Sequence, residues 1–168
     1  MQFTQSISYP GTVDEVVAMY LTPAYLERRF GQFVVEGSST VSVEGSSTVS
    51  VEGQRVSFAG TVRPELIPAA AARFVKSDLR IAFTEEWTTD EAGATSRTSV
   101  TVDGAPVSVE ATSTLTGTET GCTREVTGNV SVRVPLLGGR IEKEAVAHLG
   151  RVVEREQALA TQWLEEHR

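Results

Sequence analysis

Residues 128–149 read GNVSVRVPLLGGRIEKEAVAHL, and the hydrophobic period changes inside this stretch. Up to Pro135, valines alternate with polar residues (Val126, Val130, Val132 and Val134, with Gly128 in phase), which is the period of a half-buried strand. Pro135 ends that strand, and Gly138 and Gly139 are expected to turn the chain. From Arg140 to His167 no proline interrupts a helical pattern. At about 100° per residue, Ile141, Ala145, Leu149, Val152, Leu159 and Trp163 share one face of that helix. A strand feeding one long, one-sided helix implies a single sheet whose apolar face the helix must cover.

The rest of the chain supplies the sheet. Phe3, Ile7 and Tyr9 with polar neighbours predict a first strand, closed by Pro10-Gly11. Thr12 or Asp14 can cap a helix striped by Val13, Val16, Val17, Tyr20 and Leu21, and Pro23 opens a second short helix, PAYLERRF. The Val, Ser, Thr and Gly of residues 32–62 are strand composition. RPELIPAAAARFV (63–75) predicts a turn and a short helix. Further strands are expected over Leu79–Thr88, Thr95–Asp103, Val107–Leu115 and Thr123–Val134. The predicted class is α+β: about seven antiparallel strands, two short helices after the first, a long C-terminal helix, and one domain over residues 1–168.

Within the second-strand region the octapeptide VEGSSTVS occurs twice, at 35–42 and at 43–50. Two short units are too few for a solenoid, whose periods run about 20–50 residues. Because side chains alternate faces every residue, an insertion of even length leaves all later residues on their original face. The duplication is therefore read as a copied strand segment, and its cost is register ambiguity against the strand from Arg55 to Val62.

Composition narrows the function classes. A net charge of −7 disfavours a nucleic-acid or anionic-membrane surface. Cys122 is the single cysteine and His148 and His167 the only histidines, so neither a disulfide nor a Cys- or His-rich metal site is expected. No apolar run is long enough to span a membrane and the start lacks a signal-peptide pattern, so a cytoplasmic protein is expected. Nucleotide-loop, zincin and nucleophile-elbow motifs do not occur, no cofactor is implied, and no catalytic residue is assigned.

What remains is polar residues in apolar positions. Leu79, Ile81, Phe83, Glu85 and Trp87 alternate onto one face, which places Glu85 among the core set. His148 and Glu156 fall inside the helix stripe. A buried carboxylate needs a partner or water. Either these residues are satisfied structurally, with Glu85 or Glu156 paired to Arg124 or Arg155, or they line a wet cavity as ligand contacts or as an acid or base.

RPELIPAAAARFV, LRIAFTEEW, VDGAPVSVEATSTL, GNVSVRVPLLGGRIEKEAVAHL and EREQALATQWL together resemble the bacterial family called domain of unknown function 2505. That family is similar to the START-like, or Bet v 1-like (SRPBCC), helix-grip superfamily. The resemblance implies a bent antiparallel sheet gripping the C-terminal helix, with a cavity between them for a small apolar molecule of lipid or polyketide type. The strand wall would comprise Phe58, Phe83, Glu85, Trp87, Val126 and Val130. The helix wall would comprise His148, Leu149, Val152, Glu156 and Leu159. A cyclase or hydratase using Glu85, Glu156 or His148 is the enzymatic alternative. A filled core working through a protein partner, or a homodimer through the second-strand edge, is the third.

Overall fold

The computed structural model describes residues 1–45, 53–67, 69–73, 75 and 77–167. β1 (Gln2–Tyr9) is followed by α1 (Val13–Tyr20) and α2 (Pro23–Phe30), then by β2 (Thr40–Gly45) and β3 (Gln54–Thr61). A 3₁₀ turn at Pro64–Leu66 and the short α3 (Ala69–Ala72) lead to β4 (Arg80–Asp90), β5 (Gly93–Asp103), β6 (Val107–Thr118) and β7 (Gly121–Val132). α4 (Gly138–Glu166) comes last. The seven strands form one antiparallel sheet in the order β1-β7-β6-β5-β4-β3-β2. The expected class and element order hold.

Local chemistry explains the boundaries. The Thr12 hydroxyl accepts the Glu15 N–H at 3.1 Å, so it is Thr12 that caps α1. Asp90 Oδ1 accepts the N–H groups of Ala92 and Gly93 at 2.8 and 3.0 Å, which tightens the β4–β5 turn. The β7–α4 reversal differs from expectation. The left-handed residue is Leu136 (φ 66°), fully exposed to solvent, and both glycines already belong to α4. Gly138 serves close approach instead: a Cβ there would lie 2.2 Å from the Val132 carbonyl oxygen. Glu142, one turn on, accepts the Val132 N–H at 2.9 Å, and that bond holds its carboxyl below the ordinary range.

Gly128 does not leave room for the helix. A Cβ there would meet Phe3 Cζ at 2.5 Å, so the space belongs to β1. α4 packs along β1 and β7 and against α1 and α2, and its buried residues beyond Gly138 are Ala160, Trp163 and Leu164, all near its C-terminal end. Burial of the sheet's inner face follows the same gradient. Ala94 and Ser96 on β5, and Ser113 and Leu115 on β6, are buried, whereas Val100, Val102, Val107 and Val109 are only half-buried. At the valine end β7 still buries Val130 and Val132, so the inner face is fully covered at one end of the sheet and partly at the other.

In the duplicated segment, Val41 stands opposite Phe58 and Val43 opposite Val56, so β2 uses the tail of the first copy and the head of the second. Residues 46–52, which include the last five of the second copy, lie outside the described residues, as does the choice between copies there. Deleting residues 43–50 returns the letters Val-Glu-Gly to the same register and leaves Glu-Gly-Gln-Arg as a two-residue turn with Gly at its first central position, which suits a type II′ hairpin. The deletion variant is expected to melt cooperatively within a few degrees of the parent. Because β2 is an edge strand, size-exclusion of the same variant reads its part in self-association. A collapse of the melting transition would show that the extra unit supports the sheet.

Candidate functional site

The apolar core of the closed end encloses a polar cluster. Inward-facing positions of four adjacent strands carry Glu85 (β4), Ser96 and Thr98 (β5), Ser113 (β6) and Arg124 (β7). Arg124 reaches across two strands: Nε donates to Ser113 Oγ at 2.9 Å, and Nη2 donates to Ser96 Oγ at 3.1 Å and to Glu85 Oε2 at 2.9 Å. Glu85 also accepts from Thr98 Oγ1 at 2.7 Å and from Trp87 Nε1 at 2.9 Å. Burial alone would raise the Glu85 carboxyl, but the Arg124 and Arg29 charges and these hydrogen bonds outweigh it and hold Glu85 below its usual range. Burial opposes the charge on Arg124 too, and Glu85 restores it, so the guanidinium stays protonated.

Aromatic rings enclose the pair. The Arg124 Cζ lies 4.9 Å from the Tyr20 ring centre and 4.8 Å from that of Trp87, and those rings stack 5.4 Å apart at 18°. A second ion pair sits above the first. Arg29 of α2 forms an ion pair with Glu156 of α4, Nη2 to Oε1 at 2.9 Å, and its Nη1 is 3.8 Å from Glu85 Oε1. The Tyr20 hydroxyl donates to Glu156 Oε1 at 2.8 Å and shares a 2.6 Å bond with the Tyr9 hydroxyl. Burial pushes Tyr9 up to about 12 and Tyr20 well above its ordinary value, so both phenols are neutral hydrogen-bonding groups near neutral pH. Two cations and two anions thus balance inside the grip.

Among the pockets that α4 borders, two stand beside the polar cluster and the half-buried valines. One of about 60 Å³ lies beside this cluster, walled by Arg29, Phe30, Phe33, Val152, Arg155 and Glu156 among others. The other, about 240 Å³, lies at the partly covered end, where Val62, Leu79, Val102, Val107, Val132 and Ile141 form part of an apolar wall. Among the described residues no group of three or more His, Cys, Asp and Glu side chains could hold a metal. No described helix is long and apolar enough to cross a membrane.

The family described as Protein of unknown function (DUF2505) matches residues 4–164. This chain belongs to that family. It is 27% identical to Uncharacterized protein Rv0481c of Mycobacterium tuberculosis, over 96% of this chain and 95% of that one. Among solved structures it is similar to norcoclaurine synthase from Thalictrum flavum, in complex with dopamine and hydroxybenzaldehyde (TM-score 0.56, 12% identity, covering 100% of this chain and 88% of that one). A Staphylococcus aureus protein of unknown function, SA2116, aligns with TM-score 0.56 at 9% identity over 99% of this chain and 94% of that one. These likenesses are to the helix-grip fold, as the sequence resemblance implied.

In this DUF2505 chain the eleven residues named as cavity wall divide into groups. Glu85, Trp87 and Glu156 join the polar cluster. Phe58 and Phe83 are buried in a separate apolar cluster against Phe30, with ring centres 4.8 and 4.6 Å away. Val130 is buried, and Val126 and Leu149 are half-buried. Val152, 42% exposed, and Leu159 border the smaller pocket. His148 and Ala145 are corrections to the helix stripe: both are exposed, because the covered face of α4 is the one that carries Val146, Leu149, Val153, Glu156 and Ala160. Glu156 pairs with Arg29 and not with Arg155, whose guanidinium lies 5.9 Å from the Phe33 ring.

Sequence reasoning missed Arg29, Tyr9, Ser96 and Ser113 as members of the cluster. Arg29 had a signal. It stands four residues after Tyr25 and three after Leu26, on the face of α2 that those two bury.

Proposed function

We propose that this protein binds a small, largely apolar molecule in the cleft between α4 and the inner face of β5, β6 and β7. The observation that carries this is the burial gradient: valines at 100, 102, 107 and 109 face inward yet remain half-buried. Apolar surface held open inside a fold is the usual form of a small-molecule site. The adjoining pocket of about 240 Å³ extends it, and polar groups are confined to the closed end. The norcoclaurine synthase complex, a related fold holding small aromatic molecules, supports the same reading.

An acid–base role for Glu85 is disfavoured, since its carboxylate is charged, buried and committed to Trp87, Thr98 and Arg124. The test is native mass spectrometry on protein purified from a bacterial host, with organic extraction of any retained mass. A retained apolar molecule is expected. Ala105→Phe, which fills the larger pocket from a loop, is expected to abolish retention while the melting temperature stays within a few degrees. A clean apo mass together with no thermal shift from long-chain acids or alcohols would refute the reading.

A further inference from the structure

We infer that the ligand is an amphipathic acid, and that its carboxylate is received in the smaller pocket by Arg29 and Arg155. The inference rests on reading the cleft as a ligand site, and it adds which end of the ligand points where. Among the described residues, the buried side-chain polar atoms without a hydrogen-bond partner are Arg29 Nε, Arg29 Nη1 and the Tyr25 hydroxyl. Two of the three are donors on one guanidinium whose residue walls the pocket, and an orphaned donor on a buried cation is costly unless something accepts from it.

Arg29 is mostly buried, with 12% of its side chain exposed, and satisfies Glu156 through Nη2 alone. Its Nη1 approaches Glu85 only to 3.8 Å, an ion-pair separation and not a hydrogen bond. Arg155, exposed at the same pocket, adds a second positive charge against the single negative charge of Glu156. Counting the buried Glu85–Arg124 pair as neutral, the pocket carries one uncompensated positive charge.

Size and surroundings set the chemical class. About 60 Å³ has room for a few water-sized groups, enough for a carboxylate but not for a whole ligand. Phe33, Val152 and Leu159 around it offer an apolar path outward. Ile141 at the larger pocket is eleven residues from Val152, about 16 Å along the helix. A carboxylate anchored at Arg29 and Arg155 would send an apolar tail along α4 toward the valine-lined end.

The experiment titrates decanoate, decanol and decylamine, each below its aggregation limit, into the parent protein, Arg155→Gln and the charge-neutral double variant Arg29→Gln/Glu156→Gln. Decanoate is expected to bind at least about tenfold tighter than the other two, the ratio one charge-assisted hydrogen bond supplies. Both variants should lose that preference, decanoate weakening at least about tenfold relative to decanol. Arg155 is exposed, so its variant reads the preference even if the double variant unfolds. Decanol binding as tightly as decanoate overturns the inference and leaves the cleft reading standing. A decanoate preference that survives in Arg155→Gln, or a preference for decylamine, also overturns it. Binding of none of the three overturns both.

Discussion

Arg124→Met is expected to destabilise the protein by about 3–5 kcal/mol, because it strands Glu85 as a buried anion. Arg124 supplies the nearest positive charge, two hydrogen bonds to buried serines and the plane packed by Tyr20 and Trp87. Adding Glu85→Gln should recover most of the loss, since the Arg29–Glu156 pair then stays balanced by itself. The pH dependence distinguishes charge from shape. In the parent the Glu85 carboxyl is depressed, so its contribution is present above the unfolded value of about 4.3 and is lost as pH falls through the folded value. Without Arg124, burial dominates and raises the carboxyl, so the variant instead loses stability as pH rises. Urea melts at pH 7 and pH 4.5 should show the gap between parent and variant narrowing in acid. A gap that is small, or equal at both pH values, would mean that packing and not charge holds this site together.

Trp87→Ala is expected to cost about 3–5 kcal/mol for a different reason. Trp87 is among the largest fully buried side chains, stacks on Tyr20, and donates its indole N–H to Glu85. Its removal opens a cavity beside two buried charges and admits water to them. Trp87→Phe separates the contributions. It keeps an aromatic face for Arg124 but withdraws one donor from Glu85, so a loss of about 1–3 kcal/mol is expected. Thermal denaturation followed by circular dichroism measures both. If the phenylalanine variant were as unstable as the alanine one, the hydrogen bond would outweigh the packing.

Several members of this cluster carried a signal in the one-dimensional pattern. Glu85 stood in phase with Phe83 and Trp87, Glu156 lay in the stripe of α4, and Arg124 was among the expected partners of these carboxylates. Alternation places a residue on a face whatever the rest of the molecule does, so these assignments were legible. The partners were not. Glu156 is claimed by Arg29 of α2, and Arg124 crosses two strands to Glu85, because strand order and the seat of α2 on the sheet decide which charges meet. Likewise His148 satisfied the helical period yet lies exposed: the covered face carries Val146, Leu149 and Val153, and periodicity alone does not choose between adjoining faces of a helix.

The sequence by itself determined the order and type of the elements, the single antiparallel sheet and the inward placement of Glu85 and Arg124. Periods of 2 and 3.6 residues, prolines, and turn and capping residues act over a few positions, and these are local constraints. Only the tertiary structure decided the pairing of the two ion pairs, the closing of the grip around Trp87 and the partial cover at its valine end. Those depend on how α4 lies along β1 and β7, and a shift of an ångström or two in that seat separates a filled core from an open cleft. No local pattern in the chain encodes that distance. It is set by the packing of Ala160, Trp163 and Leu164 against residues distant in sequence.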